Sequence, residues 1–212
     1  MNVVHCDVHF SEKFMGRPKA FDRHDAVKTV MEEMWKHGYE ACSVKSISEK
    51  LGITRSSFYN TFGSREDLFF EVLDVYLQDA PDKCLSDITA DSRVLYELSE
   101  FFRLVCKTRA EDPDARGCLA VNSIPELVGN DDTIGPVIEK AIHARIDRFE
   151  KLLTLAADNG ELAKENLRAK ALAVQNLLLG INLMAKVVRD ESELWASTKQ
   201  TLQGLGLFQD KA

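Results

Sequence analysis

The stretch Ser43–Phe62, SVKSISEKLGITRSSFYNTF, decides the fold. It reads as two short amphipathic helices joined by a tight turn at Gly52-Ile53. Ser43 and Thr54 each stand just before an apolar-periodic run, where a hydroxyl caps a helix N-terminus. Val44, Ile47, Leu51, Ile53 and Phe58 fall on faces that would clamp the two helices together. Neighbouring helix positions lie about 100° apart, so burying Phe58 turns Tyr59 outward. The second helix then shows Thr54, Arg55, Ser56, Tyr59 and Asn60 to solvent. Such a surface suits a DNA major groove: arginine pairs with guanine, asparagine with adenine, and hydroxyls with phosphates or bases. The helix starts at Ser43 and Thr54 add free N–H groups for phosphates.

Outward from this stretch the pattern stays helical. A first helix over 22–37 carries Val27, Val30, Met31 and Met34 on one side and stops at Gly38. A fourth starts after Ser64, where Ser64-Arg-Glu-Asp67 resembles a capping box, and runs to about Gln78. Longer helices are predicted over 91–110, 116–128, 132–158, 165–189 and 191–204. No period-two strand pattern persists, so the chain is read as all-α, with about nine helices. The predicted organisation is a leader over 1–14, a helix-turn-helix unit over 15–66, and a larger helical effector-binding and dimerisation unit over 67–212. Met15, directly before Gly-Arg-Pro-Lys, is an alternative start.

Composition fits a folded globular chain, with 45% hydrophobic and 29% charged residues. No apolar run reaches the roughly 18–20 residues of a membrane span, and the N-terminus lacks the pattern of a signal peptide. A cytoplasmic protein is expected. The net charge of −7 is unevenly spread. Residues 15–65 hold nine Lys/Arg against six Asp/Glu, whereas 66–212 hold seventeen against twenty-six. An acidic body would turn DNA away and leave the basic segment as the contact.

The segment from about Asp22 to Leu73 resembles the DNA-binding domain of the TetR/AcrR family. The resemblance lies in Gly-Tyr-Glu-Ala at 38–41, Ser43-Val44-x-x-Ile47, the Gly52-Ile53 turn, Phe58-Tyr59-x-x-Phe62 and Ser64-Arg65-Glu66-Asp67-Leu68. It implies phosphate contacts for Ser43, Lys45 and Tyr59, and base or nearby phosphate contacts for Thr54, Arg55, Ser56 and Asn60. Arg65 would hold the DNA backbone. By analogy, the basic arm Arg17-Pro-Lys19 would reach an adjacent minor groove. Ser57 and Asn60 depart from the glycine or alanine and the histidine frequent at those places, which leaves the operator sequence open.

The resemblance also implies a homodimer, since one helix-turn-helix buries little surface and such units act in pairs. Leu172, Leu179, Gly180 and Leu183 in the 165–189 helix, with Trp195 and Leu202 in the last, are the candidate interface. A mid-helix glycine costs about 1 kcal/mol, which a close helix approach at Gly180 would offset. The intervening helices would enclose a pocket for a small-molecule effector, with Phe102, Val105, Asn122, Ser123, His143 and Asn176 as candidate linings. The implied function is a transcriptional regulator, a repressor released from a near-palindromic operator by that effector.

Two other readings were open. A thiol sensor on the same scaffold would use Cys106, flanked by Lys107 and Arg109, or Cys118 near Arg116, because cations lower a thiol pKa. An enzyme finds no motif: there is no Gly-rich phosphate loop, no H-E-x-x-H and no suggestive Ser-His-Asp order. No cofactor or metal is expected. His5-Cys6-Asp7-x-His9 has suitable residue types for a metal but lies in the leader. Five cysteines without a C-x-x-C pair form neither a disulfide framework nor a structural zinc site.

Overall fold

Local capping chemistry fixes the first four helices of the computed structural model, which describes residues 22–211. Asp22 accepts the His24 N–H at 2.8 Å and opens α1, Arg23–His37. Ser43 accepts the Ser46 N–H at 3.1 Å and opens α2, Val44–Leu51. Thr54 accepts the Ser57 N–H at 3.1 Å and opens α3, Arg55–Phe62. Ser64 and Asp67 form the reciprocal capping box at the start of α4, Arg65–Gln78. Each such cap stabilises its helix by about 1 kcal/mol. Gly52 closes α2 in the left-handed conformation (φ 66°, ψ 32°), which glycine adopts without the Cβ penalty. The sharp α2–α3 corner depends on it.

A short 3-10 turn, Pro81–Ser86, leads into the larger helices. These are α5 Val94–Ala110, α6 Leu119–Leu127, α7 Gly135–Asp158, α8 Leu167–Met184 and α9 Glu191–Gly204. The described residues are thus all-helical, with no strand. No described helix is long and apolar enough to cross a membrane. The leader, with its His5–His9 cluster and Met15, and the arm Arg17-Pro-Lys19 lie outside the described residues.

Two apolar clusters hold the helices. In one, Val30, Met34, Ile47, Phe58, Phe62, Leu68 and Phe69 pack with Leu119, Leu127 and Ile138, so α1–α4 share their core with α6 and the start of α7. The other joins α5, α7, α8 and α9 through Phe101, Phe102, Phe149, Leu178 and Leu202. Each such side chain contributes about 1.5–3 kcal/mol by leaving water. Ile142 packs against both clusters and makes them continuous. α4 crosses the expected boundary at residue 66/67: it starts beside α3, and Tyr76 near its end accepts a hydrogen bond from Arg109 of α5.

Candidate nucleic-acid interface

α3 is held from beneath and left open above. Phe58 and Phe62 are buried, with ring centroids 5.3 Å apart. Arg23 of α1 reaches the carbonyl of Thr61 and the carboxylate of Glu71, and its guanidinium lies 5.3 Å from the Phe62 ring. These contacts tie the end of α3 to α1 and α4. On the outer side Arg55, Ser56, Tyr59 and Asn60 are exposed, Tyr59 by 54%. A tyrosine this open is unusual for structural packing and suits a surface that awaits a partner. Arg55 has no ion-pair partner among the described residues, so its charge is available.

Ser43 and Thr54 are exposed, but their hydroxyls already cap α2 and α3. What these positions offer is the helix start itself, where first-turn N–H groups lack intrahelical acceptors. Lys45 is exposed and only 4.0 Å from Glu49, a loose surface pair. Lys50, by contrast, is paired with Glu33 at 2.7 Å.

Arg65 does not stand free as an arm toward DNA. Its guanidinium stacks 3.9 Å from the Tyr39 ring and donates to Glu40 at 3.2 Å. Burial alone would lower its pKa, but Tyr39 and Glu40 outweigh that and raise it. Tyr39 in turn donates to Glu66 at 3.2 Å, and its burial pushes the phenol up to about 12. Arg65 therefore fastens the α1–α2 turn to the start of α4.

The reading unit is joined to the body at two places that sequence reasoning did not find. Glu126 of α6 accepts the N–H groups of Tyr39 (3.1 Å) and Glu40 (2.7 Å) in the turn after α1. Arg116 lies 3.9 Å from the Trp35 ring of α1 and pairs with Glu32 and with Asp112. Neither belongs to a local motif; both act across more than eighty residues of sequence.

Behind these contacts a narrow cavity of about 20 Å³, little more than one water's room, opens between α4, α5 and α8. Tyr76, Phe101, Val105, Arg109, Cys118 and Asn182 line it, with Asp82 and Arg145. Of the expected linings Val105 is present, and Phe102 is wholly buried one position away in the α5 core. His143 and Asn176 are surface residues. On α8 the buried amides are Asn182 and Gln175, the latter one residue and about 100° from the expected Asn176. Asn122 donates to the Arg116 carbonyl, and Ser123 bonds back to Leu119, so both serve their own backbone. Arg109 was missed as a lining residue. It continues the α5 stripe Phe102–Val105 at helical spacing, and a charge on that stripe was the available signal.

Of the expected interface residues, Leu172 and Leu183 are exposed, by 43% and 52%. Met184 and Val187 extend the same apolar face. A Cβ built on Gly180 would meet nothing within 4 Å, so this surface is open to a close neighbour. Leu179 is half-buried against the chain's own core. Leu202 belongs to the chain's own interior, and Trp195 is half-buried against it. Leu202 is fully buried, and Trp195 packs with Phe208 and lies 4.6 Å from the Arg103 guanidinium.

The thiol reading loses its physical basis at Cys106. The side chain is buried beside Thr198 at 3.4 Å, and burial pushes the thiol up rather than down. The flanking cations point elsewhere: Lys107 toward Glu111, and Arg109 toward Asn182 and Tyr76. Cys118 is also buried.

Residues 27–72 match the sequence model of bacterial regulatory proteins of the tetR family. Over 182 residues the chain is 29% identical to the uncharacterized HTH-type transcriptional regulator YezE of Bacillus subtilis (strain 168), covering 85% of this chain and 94% of that one. It is 29% identical to the HTH-type transcriptional repressor ComR of Escherichia coli (strain K12), covering 71% and 72% of the two chains. Among solved structures, a cysteine mutant of the TetR family transcriptional regulator CifR, complexed with 26-bp double-strand operator DNA, superposes with a TM-score of 0.77. It is 26% identical over 89% of this chain and 98% of that one.

Proposed function

The chain is a TetR-family transcriptional regulator, and we propose that it represses transcription as a homodimer until a small-molecule effector releases it from a near-palindromic operator. The observation that carries this reading is the α3 surface: Arg55, Ser56, Tyr59 and Asn60 stand exposed on a helix anchored by the buried Phe58 and Phe62. ComR, a repressor, and the CifR–operator complex support it. Residues 15–66 act as the reading unit and 67–212 as the effector-binding and dimerisation unit, with α4 shared between them. The function is regulatory, not enzymatic, and its place is the cytoplasm, where the chromosome lies.

α8 is apolar on two sides, which supports the dimer. One side, Val174, Leu178 and Ile181, enters the chain's own core. The other, Leu172, Leu183 and Met184, with Val187 just beyond the helix end, is uncovered, and a symmetric copy would cover it.

The mechanism follows from two elements that touch both the pocket and the reading unit. α4 carries Arg65 at one end and Tyr76 and Leu77 at the pocket. α6 carries Ala120 at the pocket and Glu126 at the α1–α2 turn. An effector that favours one placement of α4 and α6 changes the separation of the two α3 helices in the dimer. A coupling of about 1–3 kcal/mol would change occupancy roughly 5–150-fold.

Selection of duplex DNA from a random library by the full chain tests the reading. A two-fold symmetric site bound by two protomers is expected. Recovery of no preferred sequence would overturn it.

A further inference from the structure

We propose that the pocket takes a small monocarboxylate, its acid group paired with Arg109 and its hydrocarbon body running past Arg145 into the trough between α4 and α7. This rests on the reading of the chain as an effector-controlled regulator and names the chemistry of that effector.

Arg109 is 5% exposed, yet no carboxylate lies within ion-pair distance of it among the described residues. Buried guanidinium groups are ordinarily paired, because the charged form is costly to remove from water. The two partners Arg109 does have are neutral. Its Nε donates to the Asn182 Oδ1 at 2.6 Å, and its Nη2 to the Tyr76 hydroxyl at 3.1 Å. Asn182 is fixed in that orientation, since its Nδ2 donates to the Leu178 carbonyl at 2.8 Å. Burial keeps the Tyr76 phenol protonated far above its ordinary range, so no phenolate supplies the missing charge. Of the nearby acids, Asp112 and Glu32 both hold Arg116, while Asp79 and Asp82 line the spaces beside Arg109 but are not within ion-pair distance of it. The guanidinium is thus positioned, desolvated and without a counter-ion, on the wall of a cavity.

Arg145 of α7 adds a second cation at the point where this cavity meets the trough, and it too lacks an ion-pair partner among the described residues. The trough is lined mainly by Phe70, Leu73, Val137, Ile138 and Ile142. Leu77, Ala120 and Arg145 line both spaces, so the two adjoin across these side chains. Asp82 on the cavity wall and Asp74 in the trough would repel a second negative charge. One anionic head with an apolar body fits this arrangement; a dianion or a phosphate does not.

Isothermal titration calorimetry and thermal unfolding of the full chain with straight-chain carboxylates from butanoate to dodecanoate test the proposal. The primary alcohol and amine of each length are the controls. At least one acid should bind and raise Tm where its alcohol and amine do not. Arg109→Gln should weaken that acid by about tenfold or more, the loss of a charge-assisted pair. Arg145→Gln, at the mouth and clear of the buried network, should weaken it several-fold and guards against misfolding of the first variant. Equal binding of the alcohol, no binding by any acid of the series, or unchanged affinity in both variants would overturn it. Operator binding by the unliganded protein is measured on the same samples. If that survives while the acids fail, the carboxylate proposal falls and the regulator reading stands.

Discussion

Glu126 holds the turn at Tyr39: its carboxylate, carried on α6, accepts the Tyr39 N–H at 3.1 Å and the adjacent Glu40 N–H at 2.7 Å. One side chain of the body thereby satisfies two backbone donors of the reading unit. Hydrogen bonds to a charged acceptor contribute about 1.5–3 kcal/mol, and part exposure places this pair at the low end. Glu126→Ala should lower stability by about 1–2 kcal/mol in urea unfolding. It should also weaken the effect of any effector on operator affinity, because one of the two links to the pocket is cut. Unchanged stability and unchanged coupling would show that Glu126 is only a surface acid.

The same contact separates two glycines. Gly38 has φ 87° and ψ 165°, a region essentially restricted to glycine, and a Cβ there would lie 2.9 Å from the Glu126 Oε1. Gly52 is left-handed with open space around its missing Cβ. Gly52→Ala should cost about 1–2 kcal/mol. Gly38→Ala should cost more, and part of the excess should vanish in a Glu126→Ala background, as a double-mutant cycle would show. Equal costs would mean that Glu126 does not confine the turn.

Asp112 gives the account a pH dependence. Burial would raise its pKa, but the hydrogen bonds and charge of Arg116 outweigh burial and hold it below the ordinary carboxylate range. A depressed carboxyl stabilises the fold fully above its unfolded pKa of about 3.9 and loses that contribution as pH falls through the folded value. Arg116→Gln should therefore start acid unfolding at a higher pH, followed by circular dichroism. An unshifted acid transition would contradict the role assigned to Arg116.

Thiol chemistry should follow burial. Among the described cysteines Cys84 is exposed, whereas Cys42, Cys106 and Cys118 are buried, and burial pushes the Cys42 thiol up to about 11. Iodoacetamide at pH 8 should label Cys84 in the folded protein and leave Cys106 unmodified until denaturant is added, as peptide mass spectrometry would read. Labelling of folded Cys106, with operator binding that responds to peroxide in the parent but not in Cys106→Ser, would restore the thiol-sensor reading.

What the sequence makes legible here is local. Asp22, Ser43, Thr54 and Ser64 cap their own helices, and Gly38 and Gly52 end theirs, so boundaries follow from short-range chemistry. The outward face of α3 follows from Phe58 alone, because one buried ring sets the phase of an eight-residue helix. α8 resists the same treatment. It is apolar on two sides, so periodicity does not say which side is inward, and Asn176 was expected where Gln175 lies. Trp195 and Leu202 pose the same problem, because apolar character does not distinguish burial by the chain from burial by a partner. Glu126, Arg109 and Arg116 gain their meaning from residues far away in the chain, and no local pattern marks them.

The central claim is that α3 reads DNA. Its most direct test is the salt dependence of binding to the selected operator, by fluorescence anisotropy, for the parent chain, Arg55→Ala and Tyr59→Ala. Both variants should bind more weakly while keeping the parent's circular dichroism and Tm, because both side chains are exposed and outside the core. If Arg55 meets a phosphate, its loss should reduce the slope of log K against log[salt] by about 1. If it reads a base, affinity should fall by about 1–3 kcal/mol and selectivity should relax at one position of each half-site. Parent affinity, slope and sequence preference in both variants would contradict the account.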